Sequence, residues 1–418
     1  MVFKITREQL LLDLFQAYKA ARKNKQRNIE QQRFELNVEA ELIQLCNELY
    51  ARTYHPRRSI CFIIHDPNQR EVFAAHFRDR VVHHLYYKYT HKLFERFFIA
   101  DSYSCINGRG THYGIKRLEH HIRSASRDYQ RDCYVLKLDI RGYFMHINRV
   151  LLNKYCQQLL DKSERLYASK LDFSLIRYLT SIFTLQNPII GCKMQGKKSD
   201  WEGLPPSKSL FHSKEGCGLP IGNLTSQLFS NIYMNEFDQY MKRVLRCRHY
   251  GRYVDDAYVV STDMIWLRGI VPQIRNFLKT QLHLELHSNK LAIESAHYGT
   301  QFLGAYIKPW RTYVAAKSAH RIKQKFAAMD QTGIANVSLL QSRCNSYSGL
   351  LCHYKGLNVR KSLLCQSHAI FKYGYWGRHL KKFSFNNNAK SGQLILLQKR
   401  VETYCCPPKL VNLTKESI

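Results

Sequence analysis

Two adjacent carboxylates, Asp255 and Asp256, stand in the stretch Arg252-Tyr253-Val254-Asp255-Asp256-Ala257, between segments that alternate apolar and polar as a tight β-hairpin does. A single Asp there would be an ordinary turn residue, because its side chain bonds the local backbone. A pair flanked by Tyr253-Val254 and Tyr258-Val259-Val260 is different. Two anionic groups at the ends of buried strands repel each other and lose hydration, and a divalent metal ion between them is the simplest relief. A third carboxylate lies upstream. In Tyr134-Val135-Leu136-Lys137-Leu138-Asp139 the apolar, β-branched run predicts a buried strand, and Asp139 falls where it ends. Three carboxylates around one point are what two-metal phosphoryl transfer requires: oxygen ligands suit Mg²⁺, one ion activates the attacking hydroxyl and the other steadies the departing pyrophosphate. Each Asp alone also fits a turn or a helix cap, so the argument rests on the two segments together.

Tyr253-Val254-Asp255-Asp256, with an upstream strand ending in Asp139, resembles the palm of reverse transcriptases; viral RNA-dependent RNA polymerases usually carry Gly in place of the Tyr-Val pair. The resemblance implies an α+β, right-hand polymerase fold of fingers, palm and thumb, with an antiparallel palm sheet and a helical thumb. It implies two Mg²⁺ ions, or Mn²⁺ in their place, held by Asp139, Ile140, Asp255 and Asp256, and it implies template RNA, primer or cDNA, and dNTPs as partners. Phe144, five residues past Asp139, matches the aromatic steric gate of these enzymes, whose ring would collide with a ribose 2′-hydroxyl. An ordinary core aromatic is the other reading of Phe144.

Gly218-Leu219-Pro220-Ile221-Gly222-Asn223-Leu224-Thr225-Ser226-Gln227 resembles the segment that packs the template base and incoming nucleotide. Gly222 allows close backbone approach. Most reverse transcriptases place Gln before that Gly and Ser-Pro near the end of the motif, whereas this chain has Ile221 and Ser226-Gln227. That departure resembles the reverse transcriptases of diversity-generating retroelements, as do Trp201-Glu202-Gly203-Leu204-Pro205 and Lys208-Ser209-Leu210-Phe211. The narrower resemblance implies error-prone copying of a template-repeat RNA opposite adenines. It also implies a small basic accessory protein that forms a pentameric ring, and a bacterial or phage-encoded protein of the cytoplasm. Replacing a Gln amide by a β-branched apolar group removes hydrogen bonds near the nascent pair, which makes Ile221 the candidate for low fidelity. Simple packing is the alternative role for Ile221.

Further landmarks follow the same order. Gln69-Arg70-Glu71-Val72-Phe73 resembles the fingers segment in which Arg70 reaches the triphosphate; a guanidinium grips phosphate bidentately and keeps its charge. Asn68 and Gln69 are neutral where relatives often carry a second cation. Asn107-Gly108-Arg109-Gly110 resembles a fingers loop approaching the template backbone, with Arg109 as the contact. Asn289-Lys290-Leu291 matches a motif whose Lys290 can protonate departing pyrophosphate, with a solvated surface Lys as the alternative. Phe302-Leu303-Gly304-Ala305-Tyr306-Ile307 resembles the hairpin that supports the primer end. Lys317, Arg321 and Lys325 line up on a basic helix suited to a primer-template backbone, though a solvated face would look the same.

Composition agrees. The 418 residues carry 64 Lys plus Arg against 32 Asp plus Glu, a net charge of +32 that marks a polyanion partner. No run of about 18 apolar residues is present, and Met1-Val2-Phe3-Lys4-Ile5-Thr6 leads into an amphipathic helix rather than a signal peptide, so a soluble intracellular protein is expected. Thirteen scattered Cys, without repeated Cys-x-x-Cys pairs, predict neither a disulfide framework nor a zinc ribbon.

The expected organisation is fingers over 1–131, palm over 132–310 with inserted helices and a long functional loop near 191–217, thumb over 311–385 and a tail over 386–418. Residues from Thr6 to Tyr50 read as two helices, the second burying Leu42, Leu45, Cys46 and Leu49. Two other functional readings remain at this point: a retron or group II intron reverse transcriptase, and a catalytically silent RNA-binding scaffold.

Overall fold

The structure, a computed structural model, describes residues 4–23, 29–66, 68–332, 337–354 and 356–386. The expected tail beyond Asn386, with Cys405-Cys406, lies outside them. The chain divides into two compact units, 1–125 with 134–293, and 126–133 with 294–418.

The first unit opens with α1 (Arg7–Arg22), α2 (Ile29–Leu36) and α3 (Val38–Ala51). This is one helix more than the sequence pattern suggested, because Asn37 takes a non-helical conformation (φ −130°, ψ 39°) and restarts the chain as the N-cap of α3. Thr6 caps α1 by accepting from the Gln9 amide, and α3 buries Leu42, Leu45, Cys46 and Leu49 as its spacing requires. Then come β1 (Ile60–Ile64), β2 (Arg70–Ala74), α4 (Phe77–Glu95), α5 (Thr111–Ala125), β3 (Tyr134–Leu138) and the single turn α6 (Tyr143–His146). These are followed by α7 (Arg149–Tyr167), α8 (Phe173–Leu185), β4 (Lys193–Met194), α9 (Leu224–Gln239), β5 (His249–Tyr253), β6 (Asp256–Ser261), α10 (Met264–Gln281) and β7 (Ala292–Ser295).

The sheet that matters for the site has the order β5-β6-β3-β7, with β6 antiparallel to both β5 and β3. Its strands are short and rich in β-branched and aromatic residues, and Val135, Leu136, Tyr250 and Val259 are fully buried. The helices close around it in one core that runs from Leu10 through Leu85, Leu160 and Phe229 to Leu278. A smaller sheet, β2-β1-β4, pairs β1 antiparallel with β2 and parallel with β4, and so draws the start of the 191–217 segment onto a regular element.

The second unit holds β8 (Thr300–Phe302), β9 (Ala305–Lys308) and β10 (Arg311–Val314), a three-stranded antiparallel sheet. The turn between β8 and β9 places both Leu303 and Gly304 at positive φ, as tight two-residue hairpins prefer. It continues through α11 (Ala316–Thr332), α12 (Val337–Cys352) and α13 (Leu357–Leu364) to the pair β11 (Gly374–Trp376) and β12 (Phe383–Phe385). Ile322, Phe326, Cys344, Leu364 and Phe383 form its own core. Every Cys among the described residues is a free thiol, and no helix among them is long and apolar enough to cross a membrane.

Candidate active site

Antiparallel pairing sets Leu138 opposite Ala257, so Asp139, the next residue along, arrives beside Asp256. Across the hairpin Tyr253 pairs with Asp256, which leaves Val254 and Asp255 as a two-residue turn. Val254 sits at φ 57°, a left-handed conformation that β-branched residues avoid. What holds it there lies beneath the turn. Arg252, wholly buried, donates through Nη1 to the Val254 carbonyl at 2.8 Å. The rest of its guanidinium is fixed by Asp238, at 2.8 Å from Nε and 2.7 Å from Nη2, and both side chains are fully excluded from solvent. Tyr250 donates its hydroxyl to the same carboxylate at 2.7 Å. An off-preference turn is thus clamped by a bidentate ion pair in the core.

Lys290 pairs directly with one of the three carboxylates and acts electrostatically on the other two. Lys290 Nζ lies 2.8 Å from Asp139 Oδ2. Burial and then the charge on Asp139 push the Asp255 carboxyl up to about 6, against the pull of Lys290 and Arg70. Asp256 is raised as well, by burial first, then by Asp255 and Asp139, with which it is in hydrogen-bond reach. Partial burial works against the charge of Lys290, but its bond to Asp139 and the attraction of all three carboxylates outweigh that and raise its pKa. The cluster is therefore short of positive charge, and its hard oxygen donors are those a divalent ion of the Mg²⁺ type takes. Among the described residues no three His, Cys, Asp or Glu side chains stand at ligand distances, and a bound ion would compete with Lys290 for Asp139. Ile140 is buried and bridges antiparallel to Leu286.

The segment from Gly218 to Gln227 is clamped on two sides. Leu219 N donates to the Phe144 carbonyl at 2.8 Å and Gly218 N to the Ile147 carbonyl at 2.9 Å. On the other side the Ile221 carbonyl accepts from Phe73 N of β2 at 2.8 Å, and Asn223 Oδ1 accepts from Ala75 N. Gly222 has φ +123°, and a Cβ there would meet Val72 Cγ1 at 2.8 Å and the Phe73 carbonyl at 3.0 Å, so the close approach needs glycine. Phe144 and Ile221 border one apolar cluster made by Cys61, Phe73, Met145 and Leu210. Gln227, one turn into α9, is exposed.

Thr225 in the first turn of α9 bonds His83 Nδ1 at 2.8 Å, and the His83 ring stacks on Phe183 at 4.3 Å. Burial first, then His84 and Arg80, lower the His83 pKa to about 3. Because the folded value lies below the ordinary value near 6.5, the unfolded chain takes up a proton between those values that the folded chain refuses. This contribution to stability is complete above about pH 6.5 and is lost as pH falls toward about 3. Melting curves of the wild type and His83→Gln across that window are expected to show a shallower loss in the variant.

The 191–217 segment is tied to β2 by a single acid. Glu71, buried between Arg70 and Val72, accepts from Trp201 Nε1 at 3.0 Å, Ser209 Oγ at 2.9 Å and Leu210 N at 2.7 Å. Gln69 adds two amide bonds, to the carbonyls of Asp200 and Glu202. Trp201 and Leu210 then pack in the cluster that touches Ile221, so the segment forms a wall next to residues 218–222.

Arg70, exposed at the start of β2, is close enough to act on Asp255 electrostatically. Arg109 is half-buried and donates through Nη1 to the carbonyls of Ile99 and Ser102, and so shapes the loop from within. Lys317, Arg321 and Lys325 lie at four-residue intervals along α11, beside the buried Ile322 and Phe326. Sequence reasoning passed over Arg252, Asp238 and Glu71. Their signal was a charged residue at a buried position of an apolar strand or helix, which demands a partner of the opposite sign or a set of donors.

The profile of the family described as "Reverse transcriptase (RNA-dependent DNA polymerase)" matches residues 68–307. Among solved structures, apo telomerase from Candida tropicalis truncated from its C-terminal domain is similar at 10% identity with a TM-score of 0.45, covering 62% of this chain and 56% of that one. Apo telomerase from Candida tropicalis gives 11%, 0.46, 70% and 52%. Telomerase from Candida albicans in complex with a fragment of telomeric RNA gives 10%, 0.42, 72% and 54%. The chain spans about half the length of these structures. No curated protein matches. With the carboxylate hairpin, residues 218–227 and Arg70 all inside a match that covers more than half of the 418 residues, the chain belongs to the reverse transcriptase family.

Proposed function

We propose that this chain is an RNA-directed DNA polymerase of the diversity-generating type, which copies a template-repeat RNA into cDNA with errors opposite adenines. The observation that carries the polymerase reading is the gathering of Asp139, Asp255 and Asp256, with Lys290, at a turn that a buried ion pair holds in place. In this reading the unit around the four-stranded sheet supplies fingers and palm, and the helices after Val314 supply the thumb. Arg70 holds the triphosphate, Phe144 closes the space that a 2′-hydroxyl would need, and Lys290, kept charged by its acidic neighbours, gives a proton to the departing pyrophosphate. Divalent ions bound by Asp139, Asp255 and Asp256 would lower the pKa of the primer hydroxyl and neutralise charge on the leaving group. Lys317, Arg321 and Lys325 fit a primer-template backbone. Template RNA, primer and dNTPs are the substrates, a small basic pentameric protein is the expected partner, and the bacterial cytoplasm is the expected compartment.

Low fidelity is assigned to Ile221, whose carbonyl is held by Phe73 N and whose side chain borders the same apolar cluster as Phe144, offering an apolar contact where relatives place an amide. The test is to sequence cDNA made on the cognate template RNA, with the accessory protein, Mg²⁺ and dNTPs present. Wild type is expected to give errors concentrated at template adenines. Ile221→Gln is expected to reduce them about tenfold, the effect of one restored hydrogen bond of roughly 1.4 kcal/mol on the nascent pair. Faithful wild-type cDNA would sink the diversification reading and leave the polymerase reading standing.

A further inference from the structure

A cavity of about 790 Å³ opens at the far end of α4 from the nucleotide segment. His83, which bonds Thr225, lies on the first half of that helix, while Lys92 and the C-cap Arg96 follow about 14–20 Å further along at 1.5 Å per residue. Five cations line the cavity, Lys88, Lys92, Arg96, Arg109 and Lys170, against the single acid Glu95. Lys88 is compensated by Asp13, and the other four cations still outnumber Glu95, which gives a concave surface a positive potential, the electrostatic form of an anion site.

Two of the five are fixed from behind. Lys88 donates to Asp13 and Gln16, and Arg109 to the carbonyls of Ile99 and Ser102. Lys92, Arg96 and Lys170 are exposed at the rim. Arg96 donates to the Tyr167 hydroxyl and holds its guanidinium 5.3 Å from the centre of that ring. The floor between these charges is largely apolar, with Leu93, Ile106 and Leu171. A ligand that satisfies both features carries several negative charges along its length and a planar, apolar body to lie on Tyr167. A single-stranded polynucleotide has both, with phosphates for the rim and a base for the ring.

We propose that this cavity is a second RNA site, separate from the carboxylate cluster, which holds a single-stranded stretch of RNA outside the region being copied. The choice of RNA rests on the reading of the chain as an RNA-copying enzyme; the charge and the aromatic floor do not.

The test uses the full chain with the polymerase cleft saturated by an unlabelled primer-template hybrid. The probe is a fluorescein-labelled 12-mer of oligouridine RNA, titrated at several salt concentrations. Lys92→Glu/Lys170→Glu, both at exposed positions, is expected to weaken binding at least about tenfold and to lower the salt slope by about 0.7 for each phosphate that is no longer neutralised. Tyr167→Ala is expected to weaken binding about tenfold with the salt slope unchanged, while Tyr167→Phe, which keeps the ring but loses the hydroxyl that holds Arg96, binds as wild type; together these outcomes mark a stacked base. Extension of a short pre-annealed hybrid keeps its wild-type rate in the charge-reversal variant. Unchanged RNA affinity in the charge-reversal variant would overturn the proposal. So would an acidic peptide that displaces the RNA while Tyr167→Ala has no effect, since that pattern describes a protein-docking site. Failure of the polymerase reading shows separately, as wild-type enzyme that extends no primer.

Discussion

Asp255→Asn is expected to lose at least about 10³-fold in the rate of nucleotide addition, while the metal-free protein melts no lower than wild type. The size of the loss follows from comparison, since removing a single group that stabilises a transition state already costs about 10²–10³. Asp255 does more than one such group, because it is at once a candidate ligand and part of the charge that attracts the ion. The stability half of the result comes from the same geometry. Burial and the neighbouring Asp139 push the Asp255 carboxyl up to about 6, so at pH 7 the folded chain holds a charge that its surroundings oppose. An amide of the same shape removes that opposition, worth about 1–2 kcal/mol after allowance for partial exposure. Activity and stability moving in opposite directions is the mark of a functional residue that the fold holds at a cost. Single-turnover primer extension and thermal melts in EDTA read the two halves independently, and a variant that lost both together would indicate a structural role instead.

The second large effect is expected at Asp238, a residue that touches no substrate. Asp238→Ala leaves the Arg252 guanidinium wholly buried without its counter-charge, and takes an acceptor from Tyr250 as well. Breaking one partner of a buried pair costs about 3–5 kcal/mol, enough to unfold a marginal domain. The informative experiment adds the second substitution. Arg252→Met with Asp238→Leu replaces the pair by apolar groups, which is often near neutral in a core, and leaves the unpaired Tyr250 hydroxyl as a remaining cost of about 1–3 kcal/mol, so part of the melting temperature is expected to return. The catalytic rate is not expected to return. Nothing then donates to the Val254 carbonyl, and a β-branched residue at φ 57° relaxes toward an ordinary turn, carrying Asp255 with it. A double variant with both stability and wild-type rate would show that the clamp is dispensable for the site.

The hairpin and strand were legible from the sequence because their signals are local. Alternation around Asp255-Asp256 and the run before Asp139 specify two-residue periodicity and an end point, and the structure pairs them within a residue of that reading. Gly222 was legible as a position of close approach, but what it approaches, Val72 and the Phe73 carbonyl of β2, was not. What the sequence hid are partners distant along the chain. Glu71 binds Trp201 and Ser209, more than a hundred residues away, and no periodicity points to them. Lys290 was legible as a candidate proton donor from its motif, but its ion pair with Asp139, 151 residues earlier, was not. The helix break at Asn37 was missed because a polar residue there carries no breaker signal comparable to Gly or Pro.

The most direct test of the central claim is RNA-templated addition of a single nucleotide to a primer by wild-type protein, with Mg²⁺, comparing a dNTP with the matching NTP. Extension is expected to need the RNA template and Mg²⁺, to favour the dNTP strongly, and to disappear with Asp255→Asn. Extension that persists in Asp255→Asn, or equal use of the two nucleotides by wild type, would contradict that claim.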